Sequence, residues 1–224
     1  MSTRGQVATA DEALALVAAA GVVSLVPAGA MPSLVGAVVG GPVRGSWWSH
    51  ARGPLIYRLA SGLEDSSEVL VGKLVGGKVA FLHRRLWPAL YRVVTDRGWR
   101  ESRVADLDDE ASRLLELVER DGEVRGEAAA ELLGDTRALT RARKPLEERA
   151  LIHAYSVHTE RGRHTAVLAS WKHWVPAAVT RAARSLDLDD ALAALAAVGI
   201  ELAGEAPAAR RTARRRPTRR PRAR

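Results

Sequence analysis

The chain is 224 residues long, has no cysteine, and is 47% hydrophobic but only 4% aromatic. Disulfides and thiolate metal sites are excluded, and Ala, Leu and Val must supply most of the core. The formal charge of +8 belongs to one end: residues 210–224, RRTARRRPTRRPRAR, hold nine arginines and no acid, and taking that +9 away leaves residues 1–209 at −1.

Any basic surface on the body must therefore come from local clustering. The 30 arginines against 4 lysines are read as genome composition, not as selection for guanidinium geometry.

In chain order, EALALVAAAGVVSLVPAGA has the apolar run and small-residue end of a secretory signal. Asp11 and Glu12, however, stand where a signal carries positive charge. Thr9 to Glu12 fits a capping box, so residues 10–20 are expected to form a helix stopped by Gly21. This reading favours a cytoplasmic chain. No stretch approaches the ~20 apolar residues of a membrane-spanning helix.

VVSLVP is a short apolar piece, and PSLVGAVVG reads as a helix with Pro32 at its first position. GPVRGSWWSHARGP is loop-like. Residues 55–75 look helical, KVAFLH looks like a strand, and RRLWPALYRVV places Leu86, Leu90 and Val93 or Val94 on one helical face. Residues 8–100 thus form an N-terminal helical region, expected to pack against or resemble a winged helix.

Residues 106–171 have a clearer order. DLDDEASRLLELVERDG is a helix capped by Asp106 or Asp108, with Leu114, Leu115 and Val118 inward and Gly122 at its end. VRGEAAAELLG is a second helix. DTRALTRARKPLEERA is a third, capped by Asp135 or Thr136, with Leu139, Ala142, Leu146 and Ala150 inward. LIHAYSVHT and HTAVLASW then alternate like strands around ERGR, whose Gly162 suits a hairpin turn. Three helices followed by a hairpin is the order of a winged helix-turn-helix.

Residues 172–203 add C-terminal helices, WKHWVPAAVTRAARSL and DLDDALAALAAVGI, the latter capped by Asp187 or Asp189. From residue 206 onward nothing apolar is larger than Ala. Such a segment cannot offset its ordering entropy, and a disordered Arg-rich tail is expected over 206–224.

On the third helix, Arg137, Thr140, Arg141 and Lys144 share the outward face at three- and four-residue spacing. That geometry suits guanine edges or phosphates in a major groove. Arg161 and Arg163 flank the wing-tip glycine, where phosphate contact is expected. The same helix carries Glu147 and Glu148, and Arg143 is spaced to pair with Glu147; Pro145 removes one backbone donor.

In the tail, Arg210, Arg211, Arg214, Arg215, Arg216, Arg219 and Arg220 supply sequence-independent phosphate binding. With no aromatic to stack on bases, RNA is as suitable a partner for the tail as DNA.

Other motifs read as structural. GKLVGGKV has phosphate-loop spacing, but Val79 replaces the Ser or Thr that would hold magnesium. Gly76 and Gly77 are expected to make a helix-to-strand turn instead. In SWWSH, packing of at least one of Trp47 and Trp48 is favoured over base stacking. His158 and His164 straddle the wing without a carboxylate partner, a poor metal pair. No catalytic constellation and no cofactor motif stands out.

The blocks VVSLVPAGAMPSLVGAVVG and GKLVGGKVAFLHRRLWPALYRVV, with the later helix–helix–helix–wing unit ending in SWKHWVP, resemble the AlkZ-like (YcaQ-type) DNA glycosylases and their relatives over about residues 10–178. The resemblance implies tandem winged-helix units and DNA affinity. The family's water-activating Gln-x-Gln or Gln-x-Asp motif would fall on SLVP, with Ser24 and Val26 at its polar positions. Neither residue can serve as a general base.

The resulting expectation is a mainly α (α+β) fold of tandem winged helix-turn-helix units. It would act as a non-enzymatic, nucleoid-associated or regulatory protein whose partner is double-stranded DNA. The alternatives are a repair glycosylase with a relocated catalytic group, or a protein-interaction module with an RNA- or ribosome-binding tail.

Overall fold

The computed structural model describes residues 6–43, 45–158 and 164–202. Helix α1 (Ala10–Ala20) starts at the expected capping box. The Glu12 N–H donates to Thr9 Oγ1 at 3.2 Å, and the Glu12 carboxylate accepts the Thr9 N–H at 3.0 Å. Strand β1 (Val22–Ser24) follows Gly21, then α2 (Leu34–Val39), α3 (Gly53–Glu64), β2 (Val69–Val75) and β3 (Lys78–His83). The three strands form an antiparallel sheet in the order β1-β3-β2.

Three local expectations need correction. The cap of α2 is Ser33, whose hydroxyl accepts the Gly36 N–H at 3.1 Å, and Pro32 lies just outside the helix. Residues 55–75 are not one helix: α3 ends at Glu64, and 69–75 is a strand. The Ser66 hydroxyl accepts the Glu68 N–H at 3.2 Å, turning the chain out of the helix, and the Val-rich segment beyond pairs with KVAFLH. Gly76 and Gly77 do make a turn, but between two strands. Their φ values of +53° and +74° fit the tight hairpin in which both central residues are left-handed.

Helix α4 (Trp87–Val94) and α5 (Arg97–Val104) lead to α6 (Asp109–Asp121), β4 (Glu123–Arg125), α7 (Gly126–Leu133), α8 (Thr136–Glu148), β5 (His153–His158) and β6 (His164–Ala169). Asp108 caps α6 through the Ala111 N–H at 2.8 Å. The second sheet has the order β4-β6-β5, again antiparallel. Strand β4 is an element that sequence patterning missed: with three residues and only Val124 buried, it shows too little alternation to register.

Both halves therefore run helix–strand–helix–helix–strand–strand, and in both the last strand sits between the first and the second. The chain closes with α9 (Trp171–Trp174), α10 (Ala177–Ala183) and α11 (Leu188–Ala196). The stretch read as one helix over 171–186 breaks at Val175, which is extended ahead of Pro176 (ψ 131°).

Three hydrophobic clusters hold these pieces. The first sheet is covered on both faces, as the pleat allows. Val23, Val69 and Phe81 point to a cluster with α1, α2 and α3, while Val22, Leu70, Ala80 and Leu82 point to one with α4 and α11. The C-terminal helices thus complete the core of the first half and pack on α4. The third cluster lies among α6, α7, α8 and the second sheet, with Leu114, Leu146, Leu151 and Leu168 fully buried. No helix among the described residues is long and apolar enough to cross a membrane.

Candidate nucleic-acid interface

Helix α8 is the candidate surface. Its cap is Asp135, which accepts the Ala138 N–H at 2.7 Å. Ala138, Leu139, Ala142 and Leu146 are buried on the inner side, and Ala150, just past the helix, is buried at a φ of +52°. The 3.6-residue period then leaves Arg137, Thr140, Arg141 and Lys144 exposed on the outer side.

These four residues differ in what holds them. Arg137 makes no hydrogen bond or ion pair among the described residues. The Thr140 hydroxyl donates to the Thr136 carbonyl at 2.8 Å. Arg141 donates through Nη2 to both Glu110 oxygens, at 3.1 and 3.3 Å, across to α6. Lys144 lies 3.9 Å from Glu148. Both ion pairs are exposed, so each is worth about 0–1 kcal/mol and can be exchanged for a phosphate.

The C-terminal part of α8 is committed elsewhere. Glu147 is 7% exposed and accepts from Lys73 of β2 at 2.6 Å and from Arg143 Nη2 at 3.1 Å. Arg143 Nε sits 3.0 Å from Glu147 Oε2 but is out of hydrogen-bonding alignment. The expected Arg143–Glu147 pair is therefore present, and Glu147 also bridges the two halves. A cleft of about 590 Å³ runs beside this junction, lined by Thr136, Thr140 and Lys144 on one side and by Glu127 and Thr165 on the other.

Arg161, Arg163, Arg210, Arg211, Arg214, Arg215, Arg216, Arg219 and Arg220 lie outside the described residues. Strands β5 and β6 are paired up to His158↔His164.

The helix of the first half that corresponds to α8 is α3, which exposes Tyr57 and Arg58 and is preceded by Trp47 and Trp48. Trp47 packs against the core, and Trp48 stacks on it with ring centroids 4.0 Å apart. Trp48 is 61% exposed and lies 5.6 Å from Tyr57, itself 48% exposed. Packing accounts for Trp47 only.

Of the two positions where the resemblance would place a catalytic motif, Val26 is half-buried and Ser24 is closed off. Ser24 is fully buried, and its hydroxyl donates to the Pro32 carbonyl at 3.2 Å. No group of three or more His, Asp or Glu residues placed to share a metal ion occurs among the described residues. Comparison with protein-family models, curated proteins and solved structures finds no match for this chain.

Proposed function

We propose that the protein is a non-enzymatic, double-stranded-DNA-binding protein built from two winged-helix units. The observation that carries this reading is the repeated helix–strand–helix–helix–strand–strand order, with α8 turning Arg137, Thr140, Arg141 and Lys144 outward from the third-helix position of its unit. In a winged helix that position faces the major groove, and the hairpin wing lies over the backbone. Arg141 and Arg137 then supply planar forks for guanine edges or phosphates, and Lys144 supplies a point charge.

The body carries −1 and the last 15 residues +9, which divides the labour. Helix α8 orients the protein on the duplex, while the tail adds sequence-independent affinity by releasing counterions. A nucleoid-associated or regulatory role follows from that division. Buried Ser24 gives no support to a glycosylase working at the position the resemblance suggests.

The test is binding of the full chain, and of a chain ending at residue 205, to duplex DNA and matched RNA across ~50–300 mM salt. Salt-sensitive duplex binding by the shortened chain is the expected result. If only the full chain binds, and DNA and RNA equally, α8 is not a reading head.

A further inference from the structure

A second cavity, of about 270 Å³, lies between the two halves, away from α8. Its walls are aromatic. Trp87 at the start of α4 and Trp174 at the end of α9 have ring centroids 5.4 Å apart at 50°. The His153 ring of β5 lies 4.1 Å from Trp174 and is roughly parallel to Tyr155, 5.6 Å away. Glu64, the last residue of α3, and Asp65, its C-cap, also line it. Both are exposed, and neither has an ion pair among the described residues.

His153 is the feature that ordinary packing leaves unexplained. It is 3% exposed and lines the cavity, yet its ring makes no hydrogen bond among the described residues. Its nitrogens are not sealed off as orphaned atoms, so they open on the cavity and can accept from a molecule bound there. Burial also pushes its pKa down to about 3, so at neutral pH it offers a lone pair and adds no positive charge. The Tyr155 phenol stays neutral as well, because burial and the 2.7 Å bond it donates to Glu123 raise its pKa to about 12.

We propose that this cavity binds a primary alkylammonium cation, with its ammonium group against the cavity-facing side of the Trp87–Trp174 pair, beside His153 and the carboxylates of Glu64 and Asp65. Ring faces attract cations through their quadrupole, most strongly for Trp. The neutral His153 nitrogen accepts one ammonium N–H. The two carboxylates supply the charge complement and exclude anions. The space holds an alkyl chain of a few carbons, which buries its methylene groups against the indoles. This site is independent of the DNA-binding reading and uses none of the α8 residues.

The probe pair is n-butylammonium and 1-butanol, which share an alkyl chain and differ in the cationic head. Each is titrated into the full chain while the tryptophan indole N–H resonances are followed. Saturable shifts at millimolar butylammonium are expected, with 1-butanol at least about fivefold weaker, as roughly 1 kcal/mol of cation attraction requires. The E64Q/D65N variant should weaken butylammonium about fivefold and leave 1-butanol unchanged. These two side chains are exposed, so the variant retains its fold. H153F, which keeps the aromatic volume and removes the nitrogens, should also weaken butylammonium selectively. Equal binding of the two probes, no saturable shift with either, or indifference of butylammonium to E64Q/D65N overturns the proposal.

Discussion

Lys73 in β2 places its ammonium 2.6 Å from the Glu147 carboxylate in α8, a residue 74 positions away in the chain. The Lys73 side chain keeps 31% of its exposure and Glu147 only 7%, so the carboxylate depends on the bond more than the ammonium does. Beside it, the backbone of Gly77 packs against Glu148 so closely that a Cβ would come within 2.5 Å of the carboxylate oxygen. The helix proposed to read DNA is therefore held at its C-terminal end by the hairpin of the other half.

K73M should destabilise the protein by about 1–3 kcal/mol, because Glu147 stays buried with Arg143 as its remaining partner. Urea unfolding measures this. K73M/E147L should recover part of the loss, since an apolar side chain needs no partner, while Arg143, 29% exposed but with Nε buried, loses its acceptor. A double variant as unstable as K73M alone would show that the junction is held by packing, with the ion pair incidental.

The Glu110–Arg141 pair makes a prediction in the opposite direction. Its side chains are 40% and 62% exposed, so E110Q should change stability by less than about 1 kcal/mol. By freeing Arg141 and removing a nearby negative charge, it should tighten duplex binding by up to about fivefold. R141A should cost about 1–3 kcal/mol of binding if the guanidinium reads a base bidentately. Fluorescence anisotropy on a labelled duplex reads both, and an E110Q protein that binds more weakly would place the duplex elsewhere.

How much of this was legible in the sequence depends on range. The starts of α1, α6 and α8 were readable because caps are local: Thr9, Asp108 and Asp135 each bond a backbone N–H three residues on. The inward stripe of α8 was readable for the same reason, being a 3.6-residue repeat. Strand β2 was misread because its apolar residues, flanked by those of α3, satisfy a helical spacing as well; only pairing with β3 decides the matter. Tandem units were expected from the family resemblance; patterning alone did not show the repeat, because β1 and β4 have three residues each. Neither the Lys73–Glu147 bond nor the cage around His153 leaves a local signal, since the partners come from distant elements.

The tail should control salt dependence more than specificity. Full-length protein should show a slope of log K against log salt steeper than the chain ending at residue 205, by up to about 8 if all nine tail arginines neutralise phosphates. The ratio between a preferred and a scrambled duplex should be the same for both. If truncation changed that ratio instead of the slope, the tail would be reading bases, a role for which it has no aromatic side chain.

His153 makes acid stability a direct test of its burial. Its folded pKa is held near 3 by desolvation, against about 6.5 when unfolded. Above pH 6.5 the residue is neutral in both states and imposes no penalty. As the pH falls below 6.5, the unfolded chain takes up a proton that the folded chain refuses, so stability declines until the pH passes the folded value. Between pH 7 and pH 4 this should cost on the order of 3 kcal/mol. In H153F that slope should be missing, while the carboxylate contributions, common to both proteins, cancel in the comparison. Urea midpoints at pH 7, 5 and 4 give the difference directly. Parallel losses in the two proteins would mean that His153 accepts its proton in the folded state, which would put water or a carboxylate within reach of the ring.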